Sequence, residues 1–139
     1  MFIAEGLAAI NAALKAIELW ERMGPTSGGI QTLNLNYHPA EFTNLAAQVV
    51  TGLDGDYEEL FKGTAERVRR CVRNLQEATG DETFLPNERR KFGKAARMCV
   101  CREIAIIEDF MVGDLPEELK KWWLKHKCAE ARAPMAATN

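Results

Sequence analysis

Apolar residues recur along the first stretch of the chain with the period of a helix. Ile3, Leu7, Ile10, Leu14 and Ile17 follow one another at alternating intervals of four and three. That spacing lines them on one face and places Ile at a and Leu at d of a heptad. The segment from Phe2 to Met23 is rich in Ala, Leu, Glu and Lys, all good helix formers. Asn11, Lys15, Glu18 and Arg22 form a narrow polar stripe opposite, and Gly24-Pro25 stops the helix. The apolar stripe fits two arrangements: the central helix of a bundle, or a seam shared with a second subunit. Ala8, Ala9, Ala12, Ala13 and Ala16 widen the surface and argue for contacts on more than one side. A membrane-surface helix would carry Lys and Arg along its polar face, whereas this one has Lys15 and Arg22 beside three glutamates.

The period then changes. From Thr26 to Tyr37, Ile30, Leu33, Leu35 and Tyr37 alternate in part with Gln31, Asn34 and Asn36 after the Gly28-Gly29 pair, which predicts an extended connector over residues 26–37. With no partner strand in the chain, it would pack on the helices or offer an edge to another molecule. Helical periodicity returns at Pro39, a residue suited to a first helical turn. Phe42, Leu45, Ala46, Val49, Val50 and Leu53 make its stripe, which ends at Gly52 to Gly55. Asp54 or Asp56 caps a third helix whose inner face is Tyr57, Leu60, Phe61, Thr64, Val68, Cys71, Val72 and Leu75, closed by Gly80-Asp81. Pro86 opens a fourth, with Phe92, Ala96, Cys99, Val100, Ile104, Ile107 and Met111 inward and Gly113 as its stop. Asp114 and Glu117 have capping-box-like spacing for a fifth helix anchored by Leu119, Trp122 and Trp123. The expectation is an all-α, single-domain bundle of about five helices over residues 1–128, with a flexible tail from 129 to 139.

Composition adds little to that fold, but charge does. The 139 residues carry a net charge of −2, which predicts nothing about polyanions. Its distribution is uneven: residues 1–61 sum to −6, residues 62–102 to +6 and residues 103–139 to −2. The basic block is the third helix, its loop and the start of the fourth, with Arg67, Arg69, Arg70, Arg73, Arg89, Arg90, Lys91, Lys94 and Arg97. Such a hairpin can dock an acidic protein surface or neutralise phosphates. It can also be a solvated face that pairs internally, as Glu66 with Arg70 and Arg73 with Glu77 would at i,i+4 spacing. No aromatic residue interleaves the arginines, which disfavours a single-strand stacking platform.

Candidate chemistry is thin. Cys99-Val-Cys101 and His126-Lys-Cys128 look like metal ligands, with Cys71 as an extra. Residues two apart on a helix point about 200° apart, so Cys99 and Cys101 cannot converge on one tetrahedral ion. We expect no metal and no cofactor. The N-terminal apolar stretch is interrupted by Glu5, Asn11, Lys15 and Glu18, unlike a signal peptide or a membrane span. Four reduced cysteines (Cys71, Cys99, Cys101, Cys128) and a cytoplasmic location are therefore expected. A Cys99–His126 nucleophile pair would lack an activating turn, because a mid-helix thiol has no helix N-terminus to lower its pKa. The phosphate-loop, zinc-protease and serine-hydrolase motifs are absent, and Glu58-Glu59, Glu108-Asp109 and Glu117-Glu118 splay their carboxylates apart.

The sequence therefore predicts a non-enzymatic helical subunit that binds another protein or a second copy of itself. The residues expected at the partner surface are Arg69, Arg70, Arg73, Arg89, Arg90, Lys94, Trp122 and Trp123. Two adjacent indoles point to different sides of a helix, so one of them should be half-exposed as an anchor. The alternative is a small subunit of a nucleic-acid-binding assembly that sets the hairpin 62–102 on phosphates.

Overall fold

The computed structural model describes residues 2–22, 38–78 and 85–132. Among them the regular structure is helical: α1 (Phe2–Arg22), a 3-10 turn (Pro39–Phe42) running into α2 (Thr43–Thr51), α3 (Glu58–Ala78), α4 (Pro86–Phe110) and α5 (Glu117–Lys125). The chain is an all-α single-domain bundle, and its described helices match the five that the periodicity predicts. The extended connector expected at 26–37 lies outside the described residues, as does the tail beyond Arg132.

The Ile/Leu stripe of α1 is consumed inside the domain. Ile3, Leu7, Ile10, Leu14 and Ile17 are buried, as are Ala8, Ala9, Ala13, Ala16 and Trp20. Within α1 only Lys15, Glu21 and Arg22 are exposed. A helix covered on nearly every side has no seam left for a second subunit, so α1 is the central helix of one bundle and the coiled-coil alternative falls. Gly6 permits its closest approach to a neighbour: a Cβ there would stand 2.9 Å from the carbonyl oxygen of Phe61 on α3. The start of α1 is held by that same helix, because the Phe2 amide donates to Glu58 Oε2 at 2.7 Å. Leu45 and Val49 of α2, Phe61, Val68, Val72 and Leu75 of α3, and Val100, Ile104 and Ile107 of α4 complete the core.

At one end of the bundle the loop after α2 meets the end of α4. Leu53 and Met111 form an isolated antiparallel bridge, the Val112 amide donates to the Gly52 carbonyl at 2.8 Å, and the Tyr57 and Phe110 rings lie 5.1 Å apart. Asp56 serves as the cap expected for α3, its Oδ1 accepting from the Glu58 amide. The α5 cap is Pro116 rather than Asp114, and no side chain bonds to that helix start. The packed body also runs past residue 128, since a helical turn covers 129–132 and Ala131 is 3% exposed.

The cysteines correct the sequence reading outright. Cys71 is disulfide-bonded to Cys99, and Cys101 to Cys128; none is free. The divergence of Cys99 and Cys101 around α4 does exclude a shared ion. It also sends one thiol toward α3 and the other toward the turn after α5, so α4 is stapled on two sides. Disulfides persist in oxidising compartments, so cysteine usage no longer argues for a cytoplasmic location. Among the described residues, no helix is long and apolar enough to cross a membrane.

Candidate interaction surface

The basic block separates into cations engaged inside the molecule and cations left on its surface. Arg67 sets Nε against both oxygens of Glu103, at 2.9 and 3.0 Å. Glu103 is 5% exposed. Burial pushes its carboxyl above the usual range, and the opposing pull of Arg67 and Thr64 does not cancel that rise. Arg97 pairs with Glu21 across the α4–α1 contact. Arg89 is the largest departure from expectation. Only 7% exposed, it stacks over the Trp20 ring at 4.0 Å and donates from Nη2 to the Trp20 carbonyl at 2.9 Å. The indole returns the bond, Nε1 donating to the Arg89 carbonyl at 2.9 Å. Gly93, one turn further along α4, leaves the space the indole occupies: a Cβ there would lie 3.2 Å from Trp20 Cδ1. Arg89 is thus a cap on α1 and takes no place on an open basic face.

The remaining arginines and lysines do form such a face. Arg69, Arg70 and Arg73 on α3 and Arg90, Lys91, Lys94 and Arg102 on α4 are all exposed. The predicted Glu66–Arg70 pair does not form, and Glu77, the expected partner of Arg73, has a side chain outside the description. Arg90 bonds to Asn87, and Lys94 reaches Glu130 only at 4.0 Å. Of the two predicted indoles, Trp122 is buried against Phe42. Trp123 is half-buried under the guanidinium of Arg132, which lies 5.5 Å from its centroid. Arg132 also pairs with Glu108 and Asp109, each at 3.2 Å. The indoles split as adjacent helical residues must, but they sit away from the basic face.

The opposite end of the bundle is acidic. The antiparallel pairing of α3 with α4 puts the start of α3 beside the end of α4. That gathers Asp54, Asp56, Glu59, Asp114 and Glu118, all exposed, with Asp109 and Glu117 beside them paired to Arg132 and Lys120. Exposed apolar side chains lie among them: Val50 at 51%, Phe110 at 41% and Val112 at 75%. Among the described residues, charge is therefore polarised along the bundle, cationic on Arg69 to Arg73 of α3 and Arg90 to Lys94 of α4, acidic and partly apolar at the other end.

Sequence reasoning missed a charged cleft of about 600 Å³ lined by Glu18, Glu21, Arg22, Arg97, Lys125, His126 and Lys127. Its floor is His126, 6% exposed, with Nε2 3.3 Å from Glu18 Oε1. Lys125 reaches the same oxygen at 2.9 Å. Burial would raise the Glu18 pKa, but Lys125 and then His126 hold it below the usual carboxylate value. Burial pulls the imidazole below its ordinary pKa; Glu18 opposes this without prevailing, and Arg97 and Lys125 reinforce it. Lys127 has a left-handed backbone, φ 53°, which costs a residue with a side chain about 1 kcal/mol or more. The Cys101–Cys128 bridge next to it holds that turn against α4. The run Lys125-His126-Lys127 is visible in the sequence, but its pairing with Glu18 is a tertiary fact that no local spacing carries.

A stability prediction follows from His126. A base whose folded pKa is depressed binds protons more weakly in the native state than in the unfolded one. Stability should be full above the unfolded imidazole pKa of about 6.5 and fall as pH drops below it. Thermal midpoints across pH 5 to 8 in wild type and His126→Gln check this. The variant should lose that part of the slope, and an unchanged slope would remove His126 as its source.

Among the described residues, no group of three or more His, Cys, Asp or Glu side chains is arranged to hold a metal ion. In comparisons with protein-family models, curated proteins and solved structures, nothing matches this chain.

Proposed function

We propose that this protein is a non-enzymatic helical interaction module whose exposed basic end docks an acidic protein surface, the acidic end of a second copy included. The observation that carries this reading is the polarity of the bundle. After Arg67, Arg89 and Arg97 are engaged internally, Arg70, Arg73, Lys91 and Arg102 remain exposed with no carboxylate of the described residues in ion-pair contact. Acids and exposed apolar groups crowd the other end. Complementary ends on one molecule favour head-to-tail association, a heterologous contact that closes into rings or runs on as filaments. Charge of this kind steers encounter and sets register, while a small apolar patch such as Val50, Phe110 and Val112 adds area removed from water.

The test is light-scattering mass at about 0.1 M and about 1 M salt, between which the screening length falls from about 10 Å to about 3 Å. Self-docking predicts a mass above 15.6 kDa at low salt that returns to the monomer at high salt. Arg70→Glu with Arg73→Glu should give a monomer under both conditions. A wild-type monomer throughout removes the second copy as partner. Anisotropy titrations with a polyglutamate peptide and with a DNA duplex then decide between classes. Binding of the duplex alone replaces the protein partner with nucleic acid, and binding of neither ends the proposal.

A further inference from the structure

The two disulfides differ in reach and in surroundings. Cys101 and Cys128 are both 0% exposed, sealed between α4 and the turn after α5. Cys71 is 8% exposed and Cys99 is half-buried, so their bridge reaches the surface between α3 and α4. Among the described residues, the exposed charge one turn from Cys99 on α4 is Arg102. From Arg67 to Asn74 the sequence holds no acid and four arginines, and from Arg89 to Arg102 it holds no acid at all. The nearest carboxylate in helical register, Glu103 one turn from Cys99, is buried and covered by Arg67. We infer that Cys71–Cys99 is an exchange-active site that takes a mixed disulfide from a small anionic thiol, with Cys99 as the sulfur attacked and Cys71 as the leaving group.

The direction of attack follows from exposure and charge together. An incoming thiolate, RS⁻, must approach along the S–S axis, and Cys99 is the more exposed residue of the pair. A new bond forms between the incoming sulfur and Cys99 Sγ, the Cys71–Cys99 bond breaks, and its electron pair leaves on Cys71 Sγ. Arg70, next to Cys71 on α3, and Arg102, one turn from Cys99 on α4, are exposed and have no ion-pair partner among the described residues, whereas Arg69 and Arg73 point to the far side of α3 and Arg67 is held by Glu103. Neighbouring cations lower a thiol's pKa, and a thiolate of lower pKa leaves faster. Arg70 and Arg102 also raise the local concentration of an anionic attacker. A second RS⁻ attacks the adduct sulfur and releases the Cys99 thiolate with RSSR. Two small thiols are then oxidised for the one protein disulfide reduced, and Cys101–Cys128 is left closed.

The folded, oxidised protein should be mixed with glutathione, or with neutral mercaptoethanol, then acid-quenched, alkylated and mapped by peptide mass spectrometry. Cys71–Cys99 should open at least about tenfold faster than Cys101–Cys128, with the early glutathione adduct on Cys99. The ratio of glutathione to mercaptoethanol rates should drop in Arg70→Gln with Arg102→Gln, and at high salt. Equal opening of the two bridges, or earlier opening of Cys101–Cys128, would sink the proposal. An adduct on Cys71 overturns the assigned polarity, and a rate ratio indifferent to salt and to the two arginines overturns the electrostatic account.

Discussion

Complete reduction of both disulfides should lower the thermal midpoint by about 20 °C. Cys71 and Cys99 are separated by 28 residues and Cys101 and Cys128 by 27. Closing loops of that length in the unfolded chain is worth about 3.5 kcal/mol each on the chain-entropy account. Simple addition gives about 7 kcal/mol, comparable with the whole stability of many domains, about 5–15 kcal/mol. At about 3 °C per kcal/mol for a domain of this size, the shift follows. Far-UV melts of oxidised protein and of protein reduced in denaturant, then refolded under reductant, make the comparison. A shift below about 5 °C would show that helix packing around α1 suffices and that the staples add little. The effect should also be uneven. The Cys101–Cys128 bridge closes a loop around α5 and holds the strained Lys127 turn, so hydrogen exchange in residues 126–132 should quicken first.

These staples show where reading the chain alone stops. Local geometry separates Cys99 from Cys101 on α4, and the two bridges do run to different elements. Which element lies on each side of α4 is not encoded in a two-residue spacing, so the same divergence reads as four inert thiols until α3 and the 126–128 turn are placed. The helices themselves are legible, because the Ile3-to-Ile17 stripe and the Pro and Gly punctuation are local properties. The role of α1 is legible only in part. Its extra alanines indicate contacts on several sides, but a partner subunit would satisfy them as well as α3 and α4 do.

Charge behaves similarly. Block sums of −6 and +6 indicate polarity, and the antiparallel pairing of α3 and α4 turns it into two ends of one body. Much of the apparent excess is neutralised across the fold: Glu21 meets Arg97, Glu18 meets Lys125, and Glu103 meets Arg67. Pairs at helical spacing are the ones a sequence offers, and of those Glu66 with Arg70 does not form. Long-range pairs form beside the local Lys120–Glu117 contact, and in Arg67–Glu103 burial of the carboxylate strengthens an attraction that solvent would otherwise screen. The surface basic face is accordingly smaller than the sequence block, and its members are separated from the rest by exposure alone.

Arg89 gives the sharpest test of that separation. Replacing it by Ala should cost about 3 kcal/mol, whereas Arg70→Ala and Arg73→Ala should each stay within about 0.5 kcal/mol. The larger figure combines two losses. A guanidinium stacked at 4.0 Å on a desolvated indole contributes up to about 2 kcal/mol. Its bond to the Trp20 carbonyl caps one of the last four carbonyls of α1, which have no partner within that helix. A charge-assisted bond of this kind is worth about 1.5–3 kcal/mol, and the two contributions overlap because one group supplies both. Burial already draws the Arg89 pKa below its usual value, so the site holds its cation against a desolvation cost that Ala would relieve in part. Arg89→Lys keeps the charge but loses the planar fork and the stacking, and should recover less than half of the deficit. Chemical denaturation of the three single variants reads the difference directly. If Arg70→Ala and Arg89→Ala prove equally mild, Arg89 belongs with the surface arginines and the Trp20 lock contributes little. If only Arg89→Ala is costly while Arg70→Glu with Arg73→Glu abolishes association, then arginines from one sequence block serve two purposes, one inside the fold and one between molecules.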